Sequence, residues 1–126
     1  MSCPSRLLVV EDHDDTRALM VEFLAEQGYQ VSEAETGVRA TEMFRENPFD
    51  LVITDILLPD KDGLEVILEI RKKFPDAKFL AISGGGETLL ADDCLHSARA
   101  FGAQKTLSKP FGPRDLLQTV EEILAH

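Results

Sequence analysis

Three short, almost wholly apolar runs, each followed by an amphipathic segment, constrain the fold of this chain more than any other feature. They are Leu7-Leu8-Val9-Val10, Leu51-Val52-Ile53-Thr54 and Phe79-Leu80-Ala81-Ile82. Runs of this length, rich in branched residues and apolar on successive positions, suit strands buried on both faces of a parallel sheet. Two weaker strands are expected at Tyr29 to Glu33, where apolar and polar residues alternate, and at Gln104 to Leu107.

Helical spacing fills the intervals. With Asp14 as N-cap, Thr16, Leu19, Met20, Phe23 and Leu24 share a face, and Gly28 ends the segment. Thr36 to Glu46 carries Val38, Ala40, Met43 and Phe44 before Asn47-Pro48, and Gly63 to Phe74 carries Leu64, Ile67, Leu68 and Ile70 before Pro75. A less regular helix is expected over Glu87 to Phe101, with Leu89, Leu90, Cys94, Leu95 and Ala98. Pro113, suited to a first turn, opens a last helix to Leu124 with Leu116, Leu117, Val120 and Ile123. Helices between successive parallel strands must cover both faces of the sheet, so the pattern predicts a doubly wound α/β fold of five strands and five helices.

The chain has 126 residues, enough for one domain with its own core, and its 44% hydrophobic and 29% charged content is that of a globular protein. Thirteen Lys and Arg face 23 Asp and Glu, a net charge of −10. Such a balance repels phosphate backbones and argues against direct nucleic-acid binding. The apolar runs are far below the ~20 residues that span a bilayer. Two cysteines, Cys3 and Cys94, with no CxxC pattern, support neither a disulfide framework nor a zinc site. Without an apolar leader at the N-terminus, the expectation is a cytoplasmic protein with reduced thiols.

In open α/β sheets, ligands bind beyond the carboxyl ends of the strands, where strand order reverses. Applied here, that rule gathers Glu11, Asp12, His13, Asp14 and Asp15 after the first strand, Asp55 after the third, Ser83 after the fourth and Lys109 after the fifth. With strand order 2-1-3-4-5, the acids flank the switch point and Ser83 and Lys109 close the pocket. Converging carboxylates repel one another unless a cation joins them, and hard oxygen ligands in an open site suit Mg²⁺. A lysine and a hydroxyl aimed at the same place suit a phosphoryl group. Asp14 and Asp15 are accounted for by the helix dipole, but an acid closing an apolar strand, as Asp55 does, is not.

These residues sit in motifs that resemble the receiver domain of two-component response regulators. The motifs are Leu8-Val9-Val10-Glu11-Asp12, Asp50-Leu51-Val52-Ile53-Thr54-Asp55, Leu58-Pro59-Asp60-Lys61-Asp62-Gly63, Ala81-Ile82-Ser83-Gly84 and Ser108-Lys109-Pro110-Phe111. The resemblance runs from Arg6 to Leu124 and implies a single flavodoxin-like receiver domain over 1–126, core about 6–124, with no output domain. It implies that Asp55 accepts a phosphoryl group from the phosphohistidine of a histidine kinase or histidine phosphotransfer protein. Glu11, Asp12, Asp55 and the backbone carbonyl of Leu57 would bind Mg²⁺. Ser83 and Lys109 would hold the phosphoryl group, with a cis bond between Lys109 and Pro110. Such a protein is a phosphoacceptor switch rather than an enzyme. It would signal to a protein target through the face formed by the fourth helix, fifth strand and fifth helix, as a monomer or weak dimer with no membrane contact.

Three features depart from the family pattern. Thr106 stands where an aromatic residue usually follows the switch hydroxyl inward. The stretch from Ser83 to Lys109 is long and starts with Gly84-Gly85-Gly86, read as a flexible loop. Leu57 and Gly85 occupy positions that tune phosphoryl lifetime, and an apolar Leu57 is expected to slow hydrolysis. His13 reads as an incidental helix-start residue, and Phe111 as a packing residue. The competing readings are a phosphorylation-independent interaction module with the same fold and an aspartyl phosphatase. Asp55 is followed by Ile56 and Leu57 rather than the Asp-x-Asp pair that a haloacid-type phosphatase would want.

Overall fold

The computed structural model describes residues 5–56, 58, 60–83 and 102–125. Five strands, β1 (Arg6–Val10), β2 (Gln30–Ala34), β3 (Leu51–Asp55), β4 (Phe79–Ser83) and β5 (Lys105–Ser108), form one sheet in the order β2-β1-β3-β4-β5. Every neighbouring pair is parallel. The described helices are α1 (Asp14–Glu26), α2 (Gly37–Glu46), α3 (Gly63–Lys73) and α4 (Pro113–Leu124). The helix expected over 87–101, the Gly84-Gly85-Gly86 loop and Leu57 lie outside the described residues.

The period of two along the strands divides the core into two layers. Leu7 and Val9 of β1 point to one face, where they pack with Met20 and Leu24 of α1 and Leu116, Val120 and Ile123 of α4. Leu8 and Val10 point to the other, with Ala40 and Phe44 of α2 and Val66, Ile67 and Ile70 of α3. The central strands β3 and β4 are buried along their whole length, as continuous apolar runs require. The edge strands β2 and β5 are only partly buried, and each begins one residue later than the sequence pattern suggests.

Helix faces are narrower than their apolar content. In α1 the buried residues are Arg17, Met20 and Leu24, while Leu19 is 58% exposed. Val38 of α2 and Leu68 of α3 are likewise exposed. A helix laid on one side of a sheet buries only a stripe of its surface, and apolar residues beyond the stripe face outward. The N-cap of α1 is His13, not Asp14, and it makes no side-chain cap bond. Asp14 is already in the helix and its carboxylate instead accepts from Arg17 Nη2 at 2.6 Å. No helix of the described residues is long and apolar enough to cross a membrane.

Two contacts fix the segment after β3. Asp60 accepts hydrogen bonds from the backbone N–H groups of Gly37 and Val38, at 3.0 and 2.9 Å, and so satisfies two donors at the start of α2. Desolvation by burial would raise its carboxyl, but the backbone bonds from Val38, Gly37, Lys61 and Asp60 outweigh it and hold the carboxyl below the usual range. Gly63 donates to the carbonyl of Ile56 at 2.7 Å and brings α3 hard against the end of β3. A methyl at Gly63 would press into the backbone carbonyl of Asp55 and lie 2.9 Å from Cα of Ile56. Gly63→Ala is therefore expected to lower stability by about 1–3 kcal/mol in denaturant titration, the usual cost of overpacking a rigid contact. Stability equal to wild type would show that the backbone there yields freely.

Candidate functional site

The sheet register brings the site together. Val10 of β1 lies opposite Thr54 of β3, so the residues that follow them, Glu11 and Asp55, emerge side by side at the carboxyl edge. Both are buried, at 2% and 6% exposed. Glu11 extends the pairing beyond β1 by donating its N–H to Ala34 of β2 at 3.1 Å. Its carbonyl accepts from Arg17 Nη1 at 2.9 Å, while Arg17 Nε reaches Glu33 at 2.8 Å. Arg17 thus fastens the β1–α1 turn to α1 and β2 from beneath.

Lys109 arrives from the far side of the sheet. Its backbone N–H donates to the carbonyl of Ser83 at 2.8 Å, which continues the β4–β5 pairing one residue beyond the Ser83–Ser108 pair. The bond to Pro110 is cis, as expected from the family pattern. The ammonium then crosses to the acids: Nζ donates to Glu11 Oε1 at 2.9 Å and to Asp55 Oδ2 at 3.2 Å. Ser83 is buried at the end of β4, and Thr106 is half-buried on β5 opposite Ala81.

Glu11, Asp12, Asp55, Ser83 and Lys109, all named from the sequence, therefore meet at one edge. Leu57 lies outside the described residues. Thr106 is on the adjoining strand rather than at the rim. Sequence reasoning passed over Arg17, although its spacing of 17, 20 and 24 with Met20 and Leu24 marks it as a buried-face residue. It also passed over Asp60 as the cap of a helix distant in sequence. Phe111 packs against the α1–α4 layer, as read.

Burial acts on both signs of charge here. Desolvation, with the neighbouring Asp55 carboxylate, pushes the Glu11 carboxyl up to about 7, against the opposing pull of Lys109. For Lys109 burial works downward, but Glu11 and Asp55 outweigh it and hold the ammonium above its ordinary range. A single lysine thus serves two buried carboxylates, with the partly exposed Asp12 beside them. This all-oxygen, charge-deficient donor set fits a hard divalent cation. Glu11, Asp12 and His13 also present ligand atoms within 4.8 Å of one another.

Comparison with known proteins gives one family throughout. The response regulator receiver domain family matches residues 7–121. The response regulator receiver protein CpdR of Brucella abortus strain 2308 is 37% identical over 119 residues, covering 94% of this chain and 96% of that protein. Part of the sensor kinase CckA of the same organism is 38% identical over 126 residues, 98% of this chain but 13% of the kinase. The crystal structure of the receiver domain of NtrX from Brucella abortus superimposes with a TM-score of 0.87 at 30% identity, covering 94% of this chain and 98% of that one.

The raised Glu11 carboxyl has a measurable consequence. Its folded value, about 7, lies above the ordinary 4.5, so the folded chain holds a proton that the unfolded chain has released. That contribution to stability is complete below 4.5 and is lost as pH rises through about 7. Metal-stripped protein should therefore show a thermal midpoint that falls across this window, and Glu11→Gln should flatten the fall. Affinity for a divalent cation should rise across the same window, because only the carboxylate binds it. Identical midpoint profiles for wild type and Glu11→Gln would contradict this assignment.

Proposed function

The chain belongs to the response regulator receiver domain family, and on that premise we propose that Asp55 is its phosphoacceptor. The observation that carries the reading is a buried carboxylate at a strand end, 3.2 Å from a lysine that also holds a second buried acid. A carboxylate oxygen of Asp55 attacks the phosphorus of a phosphohistidine in line. The P–N bond breaks, its electron pair stays on the departing imidazole, and an acyl phosphate forms on Asp55. Lys109 turns from the carboxylates to a phosphoryl oxygen, and the Ser83 hydroxyl donates to another. Glu11, Asp12, Asp55 and the backbone carbonyl of Leu57 would hold Mg²⁺. When bound, that ion offsets the negative charge shared by the carboxylates and the phosphoryl group.

Water later attacks phosphorus and returns Asp55 to its carboxylate, so the protein serves as a switch rather than an enzyme. The donor is a histidine kinase or histidine phosphotransfer protein, and the setting is the cytoplasm. Output goes to a protein target, with no direct part for nucleic acid or membrane. Thr106 puts a small side chain at the place where an aromatic group usually follows the switch hydroxyl. Signalling here would therefore proceed by movement of Ser83 and the β4–β5 edge rather than by turning of a ring.

Intact mass after incubation with acetyl phosphate and Mg²⁺ tests the proposal. The expected result is one phosphate adduct on wild type, none on Asp55→Asn, and a rate lowered by about 100-fold or more in Lys109→Ala. An adduct on Asp55→Asn equal to wild type would contradict it. So would the lack of any adduct with both acetyl phosphate and a phosphorylated histidine phosphotransfer protein, which would instead favour a phosphorylation-independent module.

A further inference from the structure

His13 stands at the mouth of the same site, with its side chain 73% exposed. Its Nδ1 lies 3.4 Å from Glu11 Oε1 and 3.4 Å from Asp12 Oδ1. Both separations exceed the roughly 2.7–3.2 Å of an N–H···O hydrogen bond. Ligand atoms that share one ion through bonds of about 2.0–2.2 Å stand roughly 3.0–3.5 Å apart. Both separations suit an imidazole–carboxylate ion pair and equally suit fellow ligands of one ion, and the three ligand atoms lie within 4.8 Å of one another. Its position is not explained by α1 either, because as N-cap it makes no side-chain bond to the helix. Lys109 meets the Glu11 carboxylate as well, at 2.9 Å, so an ion held with His13 would share that carboxylate with the ammonium.

Mg²⁺ favours oxygen ligands, whereas imidazole nitrogen favours first-row transition ions. We infer that His13 is an additional ligand of the site, which shifts its preference from Mg²⁺ toward divalent transition ions such as Co²⁺ and Zn²⁺. The inference rests on reading Glu11 and Asp12 as metal carboxylates. It gives the site two modes: a hard one built from carboxylates alone, and a borderline one in which a nitrogen joins them.

The test is calorimetric titration of the metal-stripped full chain with Co²⁺ and, separately, with Mg²⁺, for wild type, His13→Asn and Asp12→Asn. Asparagine is a favoured N-cap, so the start of α1 is preserved in the first variant. In His13→Asn the ratio of Co²⁺ to Mg²⁺ affinity should fall at least about tenfold, the scale on which loss of a supporting group weakens metal sites. A hyperfine-shifted, exchangeable imidazole N–H proton signal of the Co²⁺-loaded chain should vanish in the same variant. A merely structural role for His13 would weaken both metals alike and leave the ratio unchanged. An unchanged ratio with both metals bound overturns the inference and leaves the carboxylate site standing. Co²⁺ binding insensitive to Asp12→Asn places the ion elsewhere and also overturns it. Failure of wild type to bind either metal overturns the inference and the metal reading together.

Discussion

The interaction on which the site depends is the bond of one ammonium, Lys109, to two buried carboxylates, Glu11 and Asp55. The parallel register of β1 and β3 delivers the two acids side by side, and burial together with the neighbouring Asp55 raises the Glu11 carboxyl. Lys109 relieves part of that conflict from across the sheet. Removing it would leave uncompensated buried charge, which costs far more than an intact pair contributes. Three carboxylates against one lysine still leave the edge short of positive charge. That deficit would favour a divalent cation, at the place where a phosphoryl group would bring further negative charge.

The surrounding structure makes the arrangement rigid. Arg17 ties the carbonyl of Glu11 to α1 and β2, so the backbone that carries the Glu11 carboxylate is held to the sheet. Gly63 lets α3 begin directly against the backbone of Asp55, and Asp60 ties the same loop to the start of α2. Each of these residues acts on a functional group through the backbone rather than by touching a ligand. Lys109 reaches the site by the same principle, because its main chain continues the β4–β5 ladder past Ser83. The strands set position, and the side chains at their ends supply the chemistry.

Much of this was legible in the sequence, for reasons that also explain what was not. Strands β1, β3 and β4 show as continuous apolar runs because both of their faces are covered. The edge strands β2 and β5 are half-buried, and their bounds blurred accordingly. Leu19, Val38 and Leu68 matched helical spacing but face outward, since apolar identity does not say how wide a stripe the sheet covers. Asp14 had the composition of an N-cap, yet Arg17 draws its carboxylate away. For the site, the strand-end rule gathers Glu11 to Asp15, Asp55, Ser83 and Lys109, and the family motifs single out Glu11 and Asp12 among the first five. The crossing of Lys109 to both acids and the approach of His13 to within 3.4 Å of two of them do not. Side-chain reach across a sheet edge is set by tertiary packing, and one-dimensional spacing does not encode it.

The central claim is that Asp55, Lys109 and the neighbouring carboxylates are already arranged to receive a phosphoryl group once a divalent cation is present. Fluorine NMR of the full chain with beryllofluoride and Mg²⁺, a stand-in for the acyl phosphate, tests this most directly because no donor protein or turnover is required. The account predicts bound fluoride resonances that need Mg²⁺ and are absent from Asp55→Asn. The absence of any bound resonance from wild type at saturating Mg²⁺, or its persistence in Asp55→Asn, would contradict it.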